Sequence, residues 1–358
     1  MPDRRPVTLS WSSRPTFASP ACRSIDEGVR RYRTACGAGD FLFGDNVAGL
    51  DLLRSERAES VTLAYMDPPF LTNRVHELVE PDDRSAPKSE RAKRTAFDDR
   101  WDDRASYLEA LGDRITRVRD LLAPHGSLVV HVDPKTSHYV KVMCDEIFGD
   151  DAFASEIVWR YRRWPSKTPN FQRVHDVLLR YRKDPRHAPR WNTTYEPLAP
   201  STRAVWGDTK QRAVFADNGH RTKSSVTEEK SLGVPMGDVW EIGVLAPMAK
   251  ERTGYPSQKP LALLDRLVEA LSSPGDVVLD PYAGSGTTLV SAAKLGRRFV
   301  GLDASTLSLE TSMARLAREG FTLSTEETPS PERAPASAPR LTADASSPPR
   351  SIRKKRSA

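Results

Sequence analysis

The chain has 358 residues, enough to bury a full hydrophobic core and to carry a second lobe or a long insertion. Its 54 Lys and Arg exceed its 48 Asp and Glu, and the net charge of +6 favours a polyanionic partner. Three widely spaced cysteines, no run of about 18 apolar residues and no signal-peptide pattern argue against a disulfide-rich secreted protein or a membrane protein and predict a soluble, cytoplasmic one.

The first half of the chain shows short apolar runs alternating with amphipathic helical patterns, which predicts an α/β sheet. Residues 1–35 have little pattern and are predicted to be poorly ordered. The predicted elements that follow are a strand at 60–67, a helix at 106–124 closed by Pro124, a strand at 126–133 and a helix at 138–149.

The second half continues the same alternation. Strands at 155–162 and 175–182 flank a basic loop and predict an antiparallel hairpin at the edge of the sheet. Residues 276–280 and 297–303 are predicted strands on either side of a helix at 287–296, and 321–323 is a candidate for one more strand. From Ser324 onward the chain is rich in Pro, Ala and Ser, so we expect a disordered tail.

The segment 276–305 has the order strand, small-residue turn, helix, strand and acid, which is the layout of a Rossmann-type adenosine site. Gly284 and Gly286 allow close approach of the backbone to a ligand, and Asp303 can accept hydrogen bonds from two ribose hydroxyls. The turn lacks the third glycine of dinucleotide binders and the lysine of a P-loop, which disfavours NAD and ATP. An ordinary tight turn is the alternative. The candidate cofactor residues are Asp280, Pro281, Tyr282, Ala283, Gly284, Ser285, Gly286, Thr287 and Asp303.

Four segments carry a family resemblance. D-P-P-F at 67–70 resembles the catalytic signature of the amino-group DNA methyltransferases that use S-adenosylmethionine, and D-P-Y-A-G-S-G-T-T at 280–288 resembles their cofactor motif. Residues 126–149 and 251–268 are similar to the segments that follow the catalytic strand and precede the cofactor motif. The motif order is that of the β group. The resemblance implies a Rossmann-like class I methyltransferase sheet, circularly permuted, with an inserted target-recognition region.

The resemblance also implies the chemistry of the 67–70 segment, which we call the DPPF loop. The Asp67 carboxylate and the Pro68 carbonyl would accept hydrogen bonds from the exocyclic amine of a base and stabilise the positive charge that develops on it. Pro68 and Pro69 stiffen the loop, and Phe70 offers a ring on which the base stacks. The sulfonium donor is already activated, so no metal is required. A Pro-Pro strand terminator with an incidental acid is the alternative.

Two further cofactor candidates follow from the resemblance. They are Asp45, which lies just before the catalytic strand, and Lys259, which lies in the segment before the cofactor motif. The highly charged segment 77–104 directly follows the DPPF loop and is either a lid over the site or a solvated loop.

Basic residues are concentrated between Arg160 and Arg190, with ten Lys or Arg against two Asp. The aromatic residues of this stretch include Tyr161, Trp164, Phe171 and Tyr181. Basic and aromatic side chains together suit phosphates and an unpaired base, although some of these rings must belong to the core of the strands.

The resulting division of the chain has five parts: a poorly ordered segment (1–35), a catalytic half (36–183), a target-recognition region (184–252), a cofactor-binding half (253–323) and a disordered tail (324–358).

The predicted activity is transfer of a methyl group from S-adenosylmethionine to N6 of adenine in duplex DNA by base flipping. Cytosine N4 is the close alternative target, because its amine presents the same hydrogens to the DPPF loop. Two further alternatives are a catalytically idle nucleic-acid-binding relative and a protein or RNA amine methyltransferase. The expected partners are double-stranded DNA and, as a candidate, a cognate restriction endonuclease, with the chain acting as a monomer or homodimer.

Overall fold

A ten-stranded β-sheet organises the part of the chain that the computed structural model describes, namely residues 9–11, 14, 16–17, 28–79, 93–165, 167, 169–210, 213–223 and 230–325. Along the chain the strands are β1 (Arg30–Thr34), β2 (Gly39–Phe43), β3 (Val61–Met66), β4 (Arg74–Val79), β5 (Lys93–Asp99), β6 (Leu122–Val132), β7 (Phe153–Arg160), β8 (His175–Arg182), β9 (Tyr195–Glu196), β10 (Ala213–Phe215), β11 (Arg221–Lys223), β12 (Val234–Pro235), β13 (Val239–Glu241), β14 (Val277–Asp280), β15 (Arg298–Asp303) and β16 (Leu323–Thr325). The helices are α1 (Asn46–Arg57), α2 (Arg104–Leu121), α3 (Ser137–Phe148), α4 (Pro200–Trp206), α5 (Leu261–Leu271), α6 (Thr287–Lys294) and α7 (Thr306–Arg318).

The order of strands across the large sheet is β13, β7, β8, β6, β3, β14, β15, β2, β1 and β16. Its centre, from β6 through β3, β14 and β15 to β2, is parallel throughout. The neighbours β3 and β14 are far apart in sequence, so the halves that carry the two motifs meet side by side. Because the carboxyl ends of parallel strands lie at one edge, the DPPF loop and the turn after β14 are adjacent. The predicted permuted α/β fold is confirmed.

Helices cover both faces of this sheet. Along β3, Ala64 and Met66 face a core that includes residues of α1, α2 and α3, whereas Leu63 and Tyr65 face a core that includes residues of α5, α6 and α7. Alternation along a strand sends successive side chains to opposite faces, and all six residues of β3 are buried. A strand buried on both faces reads as a continuous apolar run, which is why it was visible in the sequence.

The structure corrects several predicted boundaries. Strand β1 lies inside the segment predicted to be poorly ordered, and β16 extends to Thr325, two residues into the predicted tail. Helix α2 ends at Leu121, so Pro124 does not close it but lies in the first part of β6. The remaining residues of the predicted tail, 326–358, are outside the described residues, as are most of residues 1–27.

The β7–β8 hairpin is antiparallel as predicted, but it does not form the edge of the sheet. Strand β8 pairs with β6, and β13 pairs in parallel with the outer side of β7. Strand β13 comes from the predicted target-recognition region, so part of that region belongs to the main sheet. Its three residues are too few to produce a periodic signal.

Smaller sheets lie outside the main one. Strands β9 and β12 pair within the predicted target-recognition region, as do β10 and β11, while β4 and β5 form an antiparallel ribbon after the DPPF loop. The charged segment predicted as a lid or solvated loop is thus partly strand, and its residues 80–92 lie outside the described residues. Within the described residues, no helix is long and apolar enough to cross a membrane.

Candidate active site

A cavity of about 300 Å³ opens at the carboxyl ends of β3 and β14. It is lined by nearly all the residues singled out in the sequence: Asp45, Asp67, Pro68, Pro69, Phe70, Lys259, Asp280, Pro281, Tyr282, Ala283, Gly284, Ser285, Thr287 and Asp303. The exception is Gly286, which does not line the cavity. The fold thus gathers residues from four distant parts of the chain around one space large enough for a small ligand.

The two glycines of the turn have different roles. Gly284 lines the cavity with φ of 50°, and a Cβ there would lie 3.4 Å from the Tyr255 ring. Gly286 has φ of 72°, and a Cβ on it would come within 2.6 Å of the Ser312 hydroxyl. Gly286 thus allows α6 and α7 to pack closely, and its role in admitting a ligand stays a prediction.

Asp303 holds the turn from the end of β15. Its Oδ2 accepts the Gly284 amide at 2.8 Å, and its Oδ1 accepts the Ser305 amide at 2.8 Å. Each carboxylate oxygen has a second acceptor position, so the group can hold the turn and still accept from a ligand. Burial raises the pKa of Asp303, although the backbone N–H donors oppose that shift.

Asp280 ends β14 and is almost fully buried. It accepts a hydrogen bond from the Tyr282 amide at 3.0 Å. Burial, together with smaller contributions from the nearby carboxylates of Asp67 and Asp303, raises the pKa of Asp280 to about 7. The protonation of this group therefore changes near neutral pH.

The DPPF loop holds Asp67 in an asymmetric setting. Its Oδ2 accepts a hydrogen bond from Lys259 Nζ at 2.5 Å. Its Oδ1 is buried and has no hydrogen-bond partner among the described residues, and His131 Nδ1 lies 3.8 Å from it. A buried acceptor without a donor is costly, so this oxygen is suited to accept an N–H from a ligand.

Lys259 joins the two parts of the site. It was predicted beside the cofactor, and the structure places its ammonium both on Asp67 and 5.2 Å from the centre of the Phe70 ring, at the wall of the cavity. The lysine thereby orients the carboxylate and leaves one defined oxygen free.

The family described as DNA methylase (N6_N4_Mtase) matches residues 61–313, which is more than half of the chain. The chain belongs to this family. It is a DNA methylase that acts on an exocyclic N6 or N4 amine.

Two named relatives of this methylase span most of it. The type II methyltransferase M.EcaI of Enterobacter cloacae is 28% identical, covering 77% of this chain and 69% of its own length. The DNA adenine methyltransferase YhdJ of Escherichia coli K12 is 27% identical, covering 81% and 86%. The solved PvuII DNA methyltransferase, titled cytosine-N4-specific, superposes with a TM-score of 0.51 at 17% identity, covering 80% of this chain and 89% of its own. That likeness shows the fold alone.

Sequence reasoning missed several residues of the methylase cavity. Asp99, His76 and Phe97 line it from the β4–β5 ribbon, and the His76 and Phe97 rings stack 4.4 Å apart. Tyr65 of β3 also lines the cavity, and the Tyr65 hydroxyl lies 2.7 Å from His131 Nδ1. The charge cluster around Asp99 was visible in the sequence, but nothing in it indicated which carboxylate is buried.

The charge of the methylase cavity is opposite to that of the whole chain. Among the described residues lining it are the carboxylates of Asp45, Asp67, Asp99, Asp280 and Asp303, against one lysine. The chain as a whole carries +6. An acidic cavity favours a cationic ligand and disfavours a phosphate-bearing one, in agreement with the missing P-loop lysine.

The basic loop between β7 and β8 lies at the same edge of the sheet as the methylase cavity, because β7 runs parallel to β6 and β3. Trp164 and Phe171 are 89% and 99% exposed, whereas Tyr161 and Tyr181 are buried. The four aromatic residues of this stretch thus divide into two core rings and two surface rings. Arg173 Nη1 ties the loop to Asp133 Oδ2 at 2.9 Å.

Proposed function

We propose that this chain transfers a methyl group from S-adenosylmethionine to the N6 amine of adenine at a specific sequence in duplex DNA, with the target base flipped into the cavity. The observation that carries the proposal is the free acceptor Oδ1 of Asp67, buried at the wall of an acidic cavity beside a stacking ring. The chemistry of an exocyclic amine requires such an acceptor, because its lone pair is delocalised into the ring.

The DPPF loop supplies the groups that act on the base. Asp67 Oδ1 accepts one amine hydrogen and the Pro68 carbonyl the other, which draws the nitrogen toward tetrahedral geometry. The ring of Phe70 stacks against the base, a contact worth about 1 to 3 kcal/mol. Lys259 holds the second oxygen of Asp67, so the carboxylate does not rotate away. The Asp67 carboxylate would also take up the proton that the amine loses on methylation and pass it to solvent.

S-adenosylmethionine, when bound, supplies a methyl group activated by the sulfonium charge. The residues of this cavity fit such a ligand. The Asp303 carboxylate can accept hydrogen bonds from the ribose hydroxyls, and Gly284 lets the backbone of the turn come close to the ligand. The surrounding carboxylates favour the positively charged sulfonium. Asp45 caps α1 by accepting the Val47 amide at 3.0 Å and also lines the cavity, where it adds to the negative potential.

The exposed basic loop supports DNA as the substrate and base flipping as the means of access. Arg162, Arg163 and Lys167 are exposed beside Trp164 and Phe171. Cations suit the phosphates that flank a target, and an exposed ring can stack on bases where the duplex is disrupted. An exocyclic amine inside the stack is out of reach of Asp67, so the nucleotide must leave the duplex.

Adenine is favoured over cytosine on two grounds. Phe70 has no hydroxyl to read a polar edge, so it recognises stacking area, of which a purine has more. An acid at the first position of the DPPF loop also points to adenine by family resemblance, and YhdJ is named an adenine enzyme. Because M.EcaI is named a type II methyltransferase, a cognate restriction endonuclease is a candidate partner.

Incubation of unmethylated plasmid DNA with the purified chain and S-adenosylmethionine tests the proposal. After digestion to nucleosides, mass measurement is expected to detect N6-methyldeoxyadenosine in the wild-type reaction and none with the Asp67→Ala variant. N4-methyldeoxycytidine as the sole product would reverse the choice of base. The absence of any methylated nucleoside would overturn the proposed activity.

Cofactor binding is expected to depend on pH through Asp280. Its pKa of about 7 means that the carboxyl is protonated at lower pH, and a bound cation favours the ionised form. Affinity for S-adenosylmethionine should therefore rise about threefold or more between about pH 6 and about pH 8, and Asp280→Asn should remove that part of the rise. Titration calorimetry measures the affinity of both proteins at each pH. Groups on the cofactor titrate alike in the two experiments, so the difference between the proteins reports on Asp280. Equal slopes for the two would show that Asp280 has no part in binding.

A further inference from the structure

Asp99, the last residue of β5, is a carboxylate with 1% of its surface exposed. Among the described residues, five groups donate hydrogen bonds to it. Oδ2 accepts the amides of Phe70 at 3.2 Å and Thr72 at 2.8 Å and the Thr72 hydroxyl at 2.6 Å. Oδ1 accepts the Leu71 amide at 3.0 Å and the Trp101 indole N–H at 3.0 Å. Three consecutive backbone amides, starting with that of Phe70, therefore converge on one side chain.

The backbone that Asp99 holds is a strained one. Leu71 and Asn73 have φ of 55° and 56°, in the left-handed region that side-chain-bearing residues rarely adopt. Such a conformation persists only where its surroundings over-determine it. Further bonds join the same two segments, since the Asn73 amide donates to the Asp99 carbonyl and the Asn73 side chain accepts the Trp101 amide.

A neutral side chain of the same shape cannot replace this carboxylate. All five partners are donors, and an ionised carboxylate offers acceptors on both oxygens. In Asp99→Asn the amide NH₂ would face donors on one side, and at least two N–H or O–H groups would lose their partner. The loop would then leave the left-handed conformation at Leu71, and Phe70 would move with it.

Phe70 is the residue through which Asp99 reaches the chemistry. Its ring lies 5.7 Å from the centre of the His131 ring and 5.2 Å from Lys259 Nζ, so its position also bears on the lysine that orients Asp67. Strand β5 carries Phe97 as well, which lines the cavity two residues before Asp99. The ribbon thus contacts the ligand cavity and fixes the loop at the same time.

We infer that Asp99 is a positioning residue for methyl transfer, which holds the DPPF loop and its stacking ring in the geometry that the reaction needs. The inference rests on the proposed function of the DPPF loop. Asp99 lines the cavity, but the five donors from the loop and Trp101 occupy its two oxygens, so we expect it to act through the loop and not on the base or the methyl group. Its loss should therefore lower the rate of the chemical step and leave the affinity for the methyl donor nearly unchanged.

The test compares Asp99→Asn with two matched controls. Asp98→Ala changes the neighbouring exposed carboxylate, which pairs with Arg100. Asp51→Ala removes a carboxylate that is equally buried but bound to Arg54 and Arg117, where α1 packs against α2, and that does not line the cavity. The measurements are kcat and KM on unmethylated plasmid DNA, S-adenosylmethionine affinity by calorimetry, and Tm.

For Asp99→Asn we expect kcat to fall about 100-fold with donor affinity within about threefold, since small misplacement of reacting groups costs that much. Asp98→Ala should retain kcat within about twofold, and Asp51→Ala should lower Tm without lowering kcat per folded molecule. Thr72→Val should lower kcat less than Asp99→Asn does. The effects of the two substitutions should not add, because both weaken the same contact between Thr72 and Asp99.

Wild-type kcat in folded Asp99→Asn would overturn the inference, as would a loss explained wholly by the unfolded fraction. If the wild-type chain itself fails to methylate DNA, the proposed function fails instead. The two failures are therefore distinguishable.

Discussion

Asp67→Ala is expected to lower methyl transfer to DNA by about 10³-fold or more while the protein remains folded and bound to DNA. The substitution removes the acceptor Oδ1 that has no partner in the described structure, together with the oxygen held by Lys259. DNA affinity comes mainly from phosphate contacts elsewhere on the surface, so it should stay within about threefold of wild type. Product formation and the anisotropy of a labelled duplex measure the two quantities.

Asp67→Asn refines that experiment, because it keeps the size of the side chain and one acceptor oxygen. The Lys259 ammonium donates to the remaining acceptor oxygen, which turns the amide NH₂ toward the base. We therefore expect the rate of methyl transfer to fall nearly as far as in Asp67→Ala. Transfer at near wild-type rate by either variant would mean that Asp67 does not activate the amine.

Asp303→Ala is expected to weaken S-adenosylmethionine binding by about 1 to 3 kcal/mol, the cost of losing hydrogen bonds to a carboxylate. Part of the loss would arise because the Gly284 amide no longer has its acceptor at 2.8 Å and the turn loosens. Calorimetry on the folded variant measures the change.

Asp276→Ala is the matched control for Asp303→Ala. This carboxylate precedes β14, at the opposite end of the strand from the cavity, and its Oδ2 accepts the Ser273 amide at 2.8 Å. Its loss should leave donor affinity unchanged. If Asp303→Ala binds as tightly as Asp276→Ala, Asp303 serves the turn and not the ligand.

The parts of the fold that the sequence predicted are those with strong local signals. Strands β3 and β14 are buried on both faces and therefore appear as largely apolar runs, each leading into an acid, a proline and a turn. Their adjacency followed from the family resemblance. The cavity residues after these strands could be proposed because a ligand site at the carboxyl ends of parallel strands needs only the strands to be located.

The residues that were missed act through long-range or backbone contacts. Asp99 binds backbone N–H groups 27 to 29 positions earlier, and amide groups leave no trace in a sequence. Lys259 was placed beside the cofactor, but its contact with Asp67 spans 192 positions. Gly286 serves helix packing because Ser312 approaches it, a contact that depends on the tertiary fold.

The edges of the sheet were hardest to predict. Strand β13 has three residues, and β1 follows a segment with little hydrophobic pattern. Short strands of this kind form because a neighbouring strand offers unpaired backbone groups, as β7 and β2 do here. The sheet, more than the local residues, determines where they lie.

The proposed activity can be tested by expressing the chain in a host without DNA methylation. Sequencing of the host DNA with a method that reports modified bases then tests the methyl donor, the DNA substrate and the role of Asp67 in one measurement. We expect N6-methyladenine at one recurring sequence in cells that express the wild-type chain and none in cells that express Asp67→Ala. Unmodified DNA in cells with folded wild-type protein, or equal modification by both proteins, would contradict the proposed activity and the role of Asp67.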